Sequence, residues 1–271
     1  MKRFFFLFLL IIPGYARAFV VSPWFTPIAE FELRPSYSYR YYPSVDRGFN
    51  PSSYHSHDHL IDLNLGLNFL PNWDFQLELD FSNNRKLSWG TQRFGAQVRY
   101  LWLNDVVGDP VSLALGLQLF YVPTRNMRDV SSPYHAQGNL ELGVGIGKEI
   151  DRAYDWIWRF YGFLGLGTGN RGYPWLRPLL SAEFKFRQSH KFQLYSEGYF
   201  GFGNRHRVNI DRFNGYAKIF HQSIDLGLNY TYIFNIWGEL GVQYAYRLYA
   251  HAFPQHASTF TIEYRLPFSL F

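Results

Sequence analysis

The stretch from Leu60 to Phe81 alternates apolar and polar side chains with a period of two. Leucine, isoleucine and phenylalanine occupy the odd positions from 61 to 69, and the alternation resumes from 75 to 81 after a break at 70–73. A β-strand sends successive side chains to opposite faces, whereas a helix would scatter these residues around every side. The pattern therefore predicts an antiparallel pair of strands with one apolar face and one strongly polar face.

The same alternation of apolar and polar residues recurs along nearly all of the chain after residue 30. About twelve segments follow it, each close to the roughly ten residues that a tilted strand needs to cross a bilayer. The connections tend to alternate between long and short, which is typical of an up-and-down barrel with long outer loops and short inner turns. The predicted strands lie at 30–41, 60–69, 75–81, 93–102, 111–121, 136–147, 156–167, 180–186, 191–202, 224–232, 239–247 and 260–266, with a further short strand possible around 216–220.

The N-terminus has the features of a secretory signal peptide. A basic start precedes a continuous apolar run at 4–12, and the small residues Ala16 and Ala18, three positions and one position before Phe19, suit a signal peptidase. The apolar run is too short to span a membrane, which argues against the alternative of a single anchor. We therefore expect residues 1–18 to be removed and residues 19–271 to form one barrel domain, beginning with a linker around 23–27.

Composition narrows the class of protein. Aromatic residues make up 21% of the chain and charged residues 17%, while the mean hydropathy is −0.20. The 26 Lys and Arg residues are interleaved with 21 Asp and Glu residues rather than massed in runs, so nucleic acid is not an expected partner. The absence of cysteine excludes a disulfide framework and any thiolate metal site.

The apolar face is almost free of charge in every clear strand. Placing Arg or Lys at the lipid midplane costs about 2–4 kcal/mol, so this face suits lipid, with a soluble exported sandwich as the alternative. We predict an all-β fold, a transmembrane antiparallel up-and-down β-barrel of about twelve strands, surrounded by outer-membrane lipids. Aromatic residues expected at the headgroup level are Trp73, Trp89, Trp102, Trp156, Trp175, Trp237, Tyr100, Tyr121 and Tyr232.

The signal peptide, the alternating strands and the terminal aromatic Phe271 together resemble the features of bacterial outer-membrane proteins. In that class the last strand ends in phenylalanine, which the barrel-assembly machinery reads. The resemblance implies location in the outer membrane, Phe271 as the assembly signal and the barrel-assembly machinery as a partner. A looser similarity to small porin-like transporters of about twelve strands goes no further than the class.

The polar face supplies the functional hypothesis, because acids and bases both point inward. Separated by sign on opposite walls, they would set up a transverse field across a water-filled pore; paired, they would form a salt-bridged plug. A bore of about twelve strands is narrow enough for either. We expect a narrow porin-like channel for small polar or charged solutes, with a closed structural or adhesion barrel that presents surface loops as the alternative. The predicted pore-lining residues are Arg34, Asp62, Asp74, Glu78, Asp80, Arg93, Arg99, Glu141, Arg159, Glu183, Lys185, Glu239, Arg247, Glu263 and Arg265.

A histidine cluster, His55, His57 and His59, ends the polar segment predicted as a loop at 42–58. Histidines at alternating positions share one side of an extended chain, which can hold a transition metal. Most other histidines also fall in or beside predicted outer loops, where imidazoles could titrate near neutral pH. A plain solvated loop is the alternative interpretation.

An outer-membrane lipid hydrolase is the third function considered. Such an enzyme needs a serine or a water activated by histidine, with an orienting third group. The best candidate is His135, near Ser131 and Ser132. Similarity to outer-membrane phospholipases would require histidine and serine two residues apart, whereas Ala136 and Gln137 follow His135. The His-Ser-Asn pattern of lipid A deacylases is also absent, so we expect no enzymatic activity and no cofactor.

Overall fold

A computed structural model describes residues 21–151 and 156–268 of the chain. The predicted signal peptide at 1–18 and the predicted assembly signal Phe271 lie outside these residues. Within them, twelve long strands form one closed antiparallel barrel, which confirms the predicted fold class. In chain order the strands are β1 (Phe31–Tyr42), β2 (Ser56–Leu70), β3 (Trp73–Asn83), β4 (Gly90–Leu103), β5 (Ser112–Tyr121), β6 (Gly138–Asp151), β7 (Trp156–Gly169), β8 (Trp175–Phe186), β9 (His190–Phe202), β10 (Phe220–Ile233), β11 (Glu239–His251) and β12 (Ser258–Phe268).

The barrel closes through pairing of its first and last strands. β1 runs antiparallel to β12, with Phe31 opposite Phe268 at one end and Tyr41 opposite Ser258 at the other. Every other pairing within the barrel joins strands that follow one another among the twelve. Closure pairs both edges of the sheet, as hydrocarbon surroundings require. In the part of the chain that the structure describes, no helix is long and apolar enough to cross a membrane.

The two faces of the sheet divide as the alternation predicts. On β10, Ile224 and Leu226 point outward and are 37% and 40% exposed, whereas Asp225 between them points inward and is buried. On β7, the least clear strand in the sequence, Leu166 points outward while Arg159 faces the bore and pairs with acids there. The outward face is thus an apolar belt fit for lipid.

The strand boundaries correct several expectations. β2 begins at Ser56, so His57 belongs to a strand rather than to the loop predicted at 42–58. β8 begins at Trp175, which lies inside the barrel and not at the lipid interface; its indole Nε1 donates to Glu141 Oε2 at 2.9 Å. The extra strand expected around 216–220 is not among the described strands, and Val208–Asn209 instead pairs in parallel with Gly48–Phe49. In each case the tertiary structure extends or relocates a strand beyond the alternating pattern.

The outer loops fold over the mouth of the barrel and build an apolar core of their own. The loop at 203–219 crosses the mouth, because the Lys86 ammonium donates to the Ile210 carbonyl at 3.0 Å and the Ile210 amide donates to the Phe49 carbonyl at 3.0 Å. This core closes the outer end of the bore. We call it the outer cap, and its residues are Tyr42, Val45, Tyr54, Val130, Val208, Ile210, Phe213, Tyr216, Ile219, Ala252, Phe253 and Ala257.

Residues 21–27 lie inside the inner half of the barrel, which corrects their interpretation as a linker. Val21 is 1% exposed and packs against β5 and β6. A Cβ atom on Gly145 would lie 2.0 Å from the Val21 carbonyl oxygen, so glycine is needed for this close approach. Nearer the inner end, Trp24 Nε1 donates to Asp105 Oδ1 at 3.2 Å. This N-terminal segment therefore narrows the bore.

Candidate functional site in the barrel interior

A cavity of about 450 Å³ occupies the inner half of the bore, beside the N-terminal segment. We call it the inner chamber. Amides and hydroxyls such as Gln243 and Thr261 line it together with acids and bases. Buried surfaces of this kind need hydrogen-bonding partners, so the chamber suits water and small polar solutes. Its charged lining residues are Glu30, Glu32, Arg34, Asp62, Glu78, Arg99, Arg159, Glu183, Lys191, Glu239, Glu263 and Arg265.

The structure places all fifteen predicted pore-lining residues on the inward face of the sheet. Nine of them line the inner chamber. Arg93, Glu141 and Arg247 line a smaller cavity of about 90 Å³ beneath the outer cap. Their part in the passage of solutes stays a prediction, because position alone does not demonstrate flow.

Arg93 is the centre of the most concentrated charge cluster. Its Nη2 lies 2.5 Å from Glu78 Oε1, and its Nε lies 2.8 Å from Asp80 Oδ2. Asp62 completes a group of three carboxylates whose potential ligand atoms lie within 4.8 Å of one another. Within the described chain, Glu78 Oε2 and Asp80 Oδ1 are buried without a hydrogen-bond partner. A single guanidinium therefore pairs with two of three clustered acids.

Other charges in the bore are also paired locally. Arg177 Nη2 contacts Glu141 Oε1 at 2.6 Å, and this guanidinium links β8 to β6. At the inner end, Arg265 Nε donates to Glu32 Oε2 at 2.5 Å and its Nη1 donates to Glu239 Oε1 at 2.8 Å, which joins three adjacent strands. The arrangement matches the paired alternative from the sequence and not the separation of signs on opposite walls.

His135 lies buried beneath the outer cap and not at a solvated rim. Its Nδ1 is 3.3 Å from the Tyr173 carbonyl oxygen, and its Nε2 is 2.9 Å from Nε2 of His221. Burial lowers the pKa of His135 to about 3, and the hydrogen bond to the Tyr173 carbonyl opposes this only in part. The neutral ring that donates from Nδ1 must accept at Nε2, so His221 donates in this pair.

The surroundings of His135 do not assemble the hydrolase site considered from the sequence. Both of its ring nitrogens are engaged by the partners just named, and the centroid of the Trp175 ring lies 4.4 Å away. Ser131 Oγ instead contacts the Tyr42 hydroxyl at 2.7 Å. Among the described residues, no hydroxyl is hydrogen-bonded to this imidazole. The buried histidine pair thus acts as packing and hydrogen bonding at the base of the cap.

The three histidines proposed for a metal line the outer edge of β1 and β2. His57 Nδ1 lies 2.5 Å from the Tyr39 hydroxyl, and His59 Nδ1 lies 2.7 Å from the Tyr37 hydroxyl. The ring centroids of His55 and His57 are 6.2 Å apart. Of the residues that the structure describes, the group with three potential ligand atoms within 4.8 Å is the carboxylate cluster around the bore arginine, not these imidazoles. A metal role for the histidines stays a prediction.

Several residues that lie in the interior of the barrel were not predicted from the sequence. Arg40 is buried, its Nε donates to Asp58 Oδ2 at 2.7 Å, and its Nη2 donates to the Ser131 carbonyl at 2.6 Å, which anchors an outer loop to the wall. Arg40 and Asp58 share the parity of predicted lining residues, so extending that parity outward would have found them. Arg177 lies before the predicted start of its strand. No sequence signal distinguished the buried His221 from a solvated loop histidine.

Comparison with solved structures identifies the class of fold. An outer-membrane channel from Pseudomonas putida F1, described as COG4313, is similar with a TM-score of 0.60 and 8% identity, over 93% of this chain and 100% of that chain. The NanC porin has a TM-score of 0.50 and 12% identity, over 88% of this chain and 98% of that chain. The β domain of the Bordetella autotransporter BrkA has a TM-score of 0.50 and 11% identity, over 89% of this chain and 99% of that chain.

No protein-family model and no curated protein matches the chain. At identities of 8–12% the likeness shows the fold alone, which is that of a bacterial outer-membrane β-barrel. This fold and the apolar outward belt agree with the location in the outer membrane predicted from the sequence.

Proposed function

We propose that the protein is a narrow outer-membrane channel for small polar or charged solutes, closed at its outer end in the present conformation. The observation that carries this proposal is the inner chamber, a polar cavity of about 450 Å³ inside a lipid-facing barrel. In a barrel with only a structural role, side chains of the strands would fill the interior at this position. The names of two similar structures, a channel and a porin, favour the same function.

Passage through the channel requires the outer cap to move. The cap is held by apolar packing, with Tyr216 and Phe253 at a ring-centroid distance of 4.7 Å. Replacing a buried aromatic side chain by alanine costs about 3–5 kcal/mol. Weakening the cap is therefore expected to favour open states without altering the lipid-facing wall.

Single-channel recording in planar bilayers tests the proposal. Discrete conductance steps are expected for the wild type, and Glu78→Ala or Arg99→Ala should shift the ion selectivity because both side chains line the inner chamber. Phe253→Ala should raise the open probability. Phe202→Ala is the matched control, since it removes an outward-facing ring on β9 and should leave the conductance unchanged. Silent bilayers from folded wild type and folded Phe253→Ala would contradict a channel function.

A closed barrel that presents surface loops is the second candidate. Local ion pairing in the bore and the apolar outer cap favour it. The recording above separates the two functions, because a structural barrel stays silent even when the cap is weakened. A lipid hydrolase has no comparable support at His135, whose ring nitrogens are engaged by Tyr173 and His221.

We also propose that outer-membrane lipids cover the apolar belt and that the barrel-assembly machinery inserts the chain. Phe271 is the proposed recognition element, from the resemblance to outer-membrane proteins. Deletion of Phe271 should lower the amount of folded protein in the outer membrane, measured by heat-modifiable mobility on gels. Unchanged assembly of this variant would remove the proposed signal.

A further inference from the structure

The outer loops are strongly basic, in contrast to the rest of the barrel. The loops at 43–55, 84–89, 122–137, 170–174, 203–219 and 252–257 carry ten Lys and Arg residues and three Asp residues. The rest of the chain after residue 18 carries thirteen basic and eighteen acidic residues. The outer face therefore presents a positive field, which raises the local concentration of anions.

A cavity of about 740 Å³ on the longest loop concentrates this charge. We call it the basic pocket. Its volume falls in the range of about 300–1,000 Å³ that is typical of small-molecule sites. No Asp or Glu belongs to its lining within the described chain. Its basic lining residues are Arg171, Arg205, His206, Arg207, Arg212 and Lys218, all exposed.

The cations of the basic pocket lack the acidic partners that arginines find elsewhere in this protein. Within the described residues, no carboxylate lies within 4.0 Å of their charged groups, whereas the arginines of the bore pair with one or more acids. Arg171 Nη2 donates to Asn214 Oδ1 at 2.8 Å, and Arg207 lies over the Phe49 ring at 5.1 Å. Neither contact neutralises a charge. Five permanently charged groups thus face one cavity uncompensated.

The pocket rests on a fixed base and not on a loose loop. Val208 and Ile210 are buried in the outer cap, so the chain on either side of them is anchored. Their amides donate to the Arg47 and Phe49 carbonyls at 3.1 and 3.0 Å. A Cβ on Gly203 would lie 2.4 Å from the Ile219 backbone, which shows how closely the two ends of the loop approach. Such preorganisation lowers the ordering cost of binding.

We propose that the basic pocket binds a small polyanion that carries two or more phosphate groups. Guanidinium groups match phosphate oxygens in bidentate geometry, and two phosphates supply about three to four negative charges near neutral pH, close to the charge of the pocket. A lipid headgroup and a soluble phosphorylated molecule share this chemistry. The binding does not depend on solute passage through the barrel.

Calorimetric titration of the protein in uncharged detergent with inorganic tripolyphosphate tests the proposal. At about 0.1 M salt the Debye length is about 10 Å, so distant charges are screened and the measured affinity depends on the charges close to the bound ligand. Arg205→Gln/Arg207→Gln should weaken binding about tenfold or more, because it removes two of the charged groups that can form charge-assisted hydrogen bonds with phosphate oxygens. The matched control Arg85→Gln/Arg128→Gln removes the same charge from exposed outer-loop positions outside the pocket and should change the affinity little. Heat-modifiable mobility verifies folding of each variant.

Reconstitution distinguishes the source of the phosphate. Cardiolipin is the lipid probe, because its headgroup carries two phosphates. If the protein melts at a higher temperature in vesicles of phosphatidylcholine mixed with cardiolipin than in phosphatidylcholine alone, and Arg205→Gln/Arg207→Gln loses this increase, the pocket is assigned to a lipid headgroup. Tripolyphosphate binding in phosphatidylcholine vesicles without that lipid effect assigns it to a soluble ligand. The proposal is overturned if wild type binds neither probe, or if the control double variant loses as much affinity as the pocket double variant.

Discussion

Replacing Arg93 by methionine is expected to destabilise the barrel severely. Arg93 is 3% exposed and pairs with Glu78 and Asp80 at 2.5 and 2.8 Å, while Asp62 lies in the same carboxylate group. Removing one partner of a buried ion pair costs about 3–5 kcal/mol, because the other charge is left uncompensated. The guanidinium also lies over the Phe120 ring at 5.6 Å, a contact that contributes about 0.5–2 kcal/mol. Together these contributions predict a loss of about 3.5–7 kcal/mol in the free energy of unfolding.

Urea unfolding of the protein in detergent micelles, followed by tryptophan fluorescence, measures this loss. Arg128→Met is the matched control, since Arg128 is exposed in an outer loop and should change stability by less than about 0.5 kcal/mol. The triple variant Arg93→Met/Glu78→Gln/Asp80→Asn removes the guanidinium together with the two carboxylates that it contacts. Its stability should recover much of the loss, because replacing all members of a buried ion pair by neutral side chains is often near neutral.

Two outcomes would refute this reasoning. If Arg93→Met unfolds at the same urea concentration as the wild type, the ion pairs do not hold the wall of the bore together. If the triple variant is as unstable as Arg93→Met, uncompensated charge is not the cause, and the loss comes from packing.

Two further predictions concern the cap and the belt. Burial keeps His135 neutral and lowers its pKa to about 3, so its contribution to stability is complete above about pH 6.5 and falls as the pH drops below that value. Between pH 8 and pH 5 the free energy of unfolding of the wild type should therefore fall by about 2 kcal/mol more than that of His135→Gln. An equal fall for both proteins in urea unfolding would contradict the buried neutral ring. Leu226 lies at the middle of β10 and its side chain points outward, so Leu226→Arg should lower the free energy of unfolding in lipid vesicles by about 2–4 kcal/mol. The control Leu226→Met should lower it by less than about 1.5 kcal/mol. Equal stability of the two variants would argue against a lipid-facing position.

The barrel wall could be predicted from the sequence because lipid enforces a strict rule on alternate residues. Ile224, Leu226 and Leu228 meet hydrocarbon, and a single charged residue among them would be costly, so the parity is visible without a structure. The same rule placed Arg159 inside on a strand with two apolar faces. Fold class, strand count and the inward direction of the charged residues all follow from this periodicity.

The segments and side-chain contacts inside the barrel could not be predicted, because they follow no periodic pattern in the sequence. Residues 21–27 contain two prolines and read as a linker, yet Val21 fits into the bore where Gly145 offers no side chain. The residues of the outer cap come from separate loops, so no single segment of the sequence predicts it. His135 and His221 are adjacent only in the folded chain, at an Nε2–Nε2 distance of 2.9 Å. Pairing of charges likewise depends on register between strands, which the sequence does not specify.

Thiol labelling of the inner chamber tests the central claim most directly. The chain has no cysteine, so Ser36→Cys, on the chamber wall, would supply the single thiol in the protein. In oriented vesicles, a small charged thiol reagent is expected to modify Ser36→Cys quickly from the inner side and far more slowly from the outer side, whereas Lys218→Cys on the outer loop reacts quickly from outside. A Ser36→Cys thiol that stays unmodified from both sides, or that reacts equally fast from each, would contradict a water-filled chamber sealed by an outer cap.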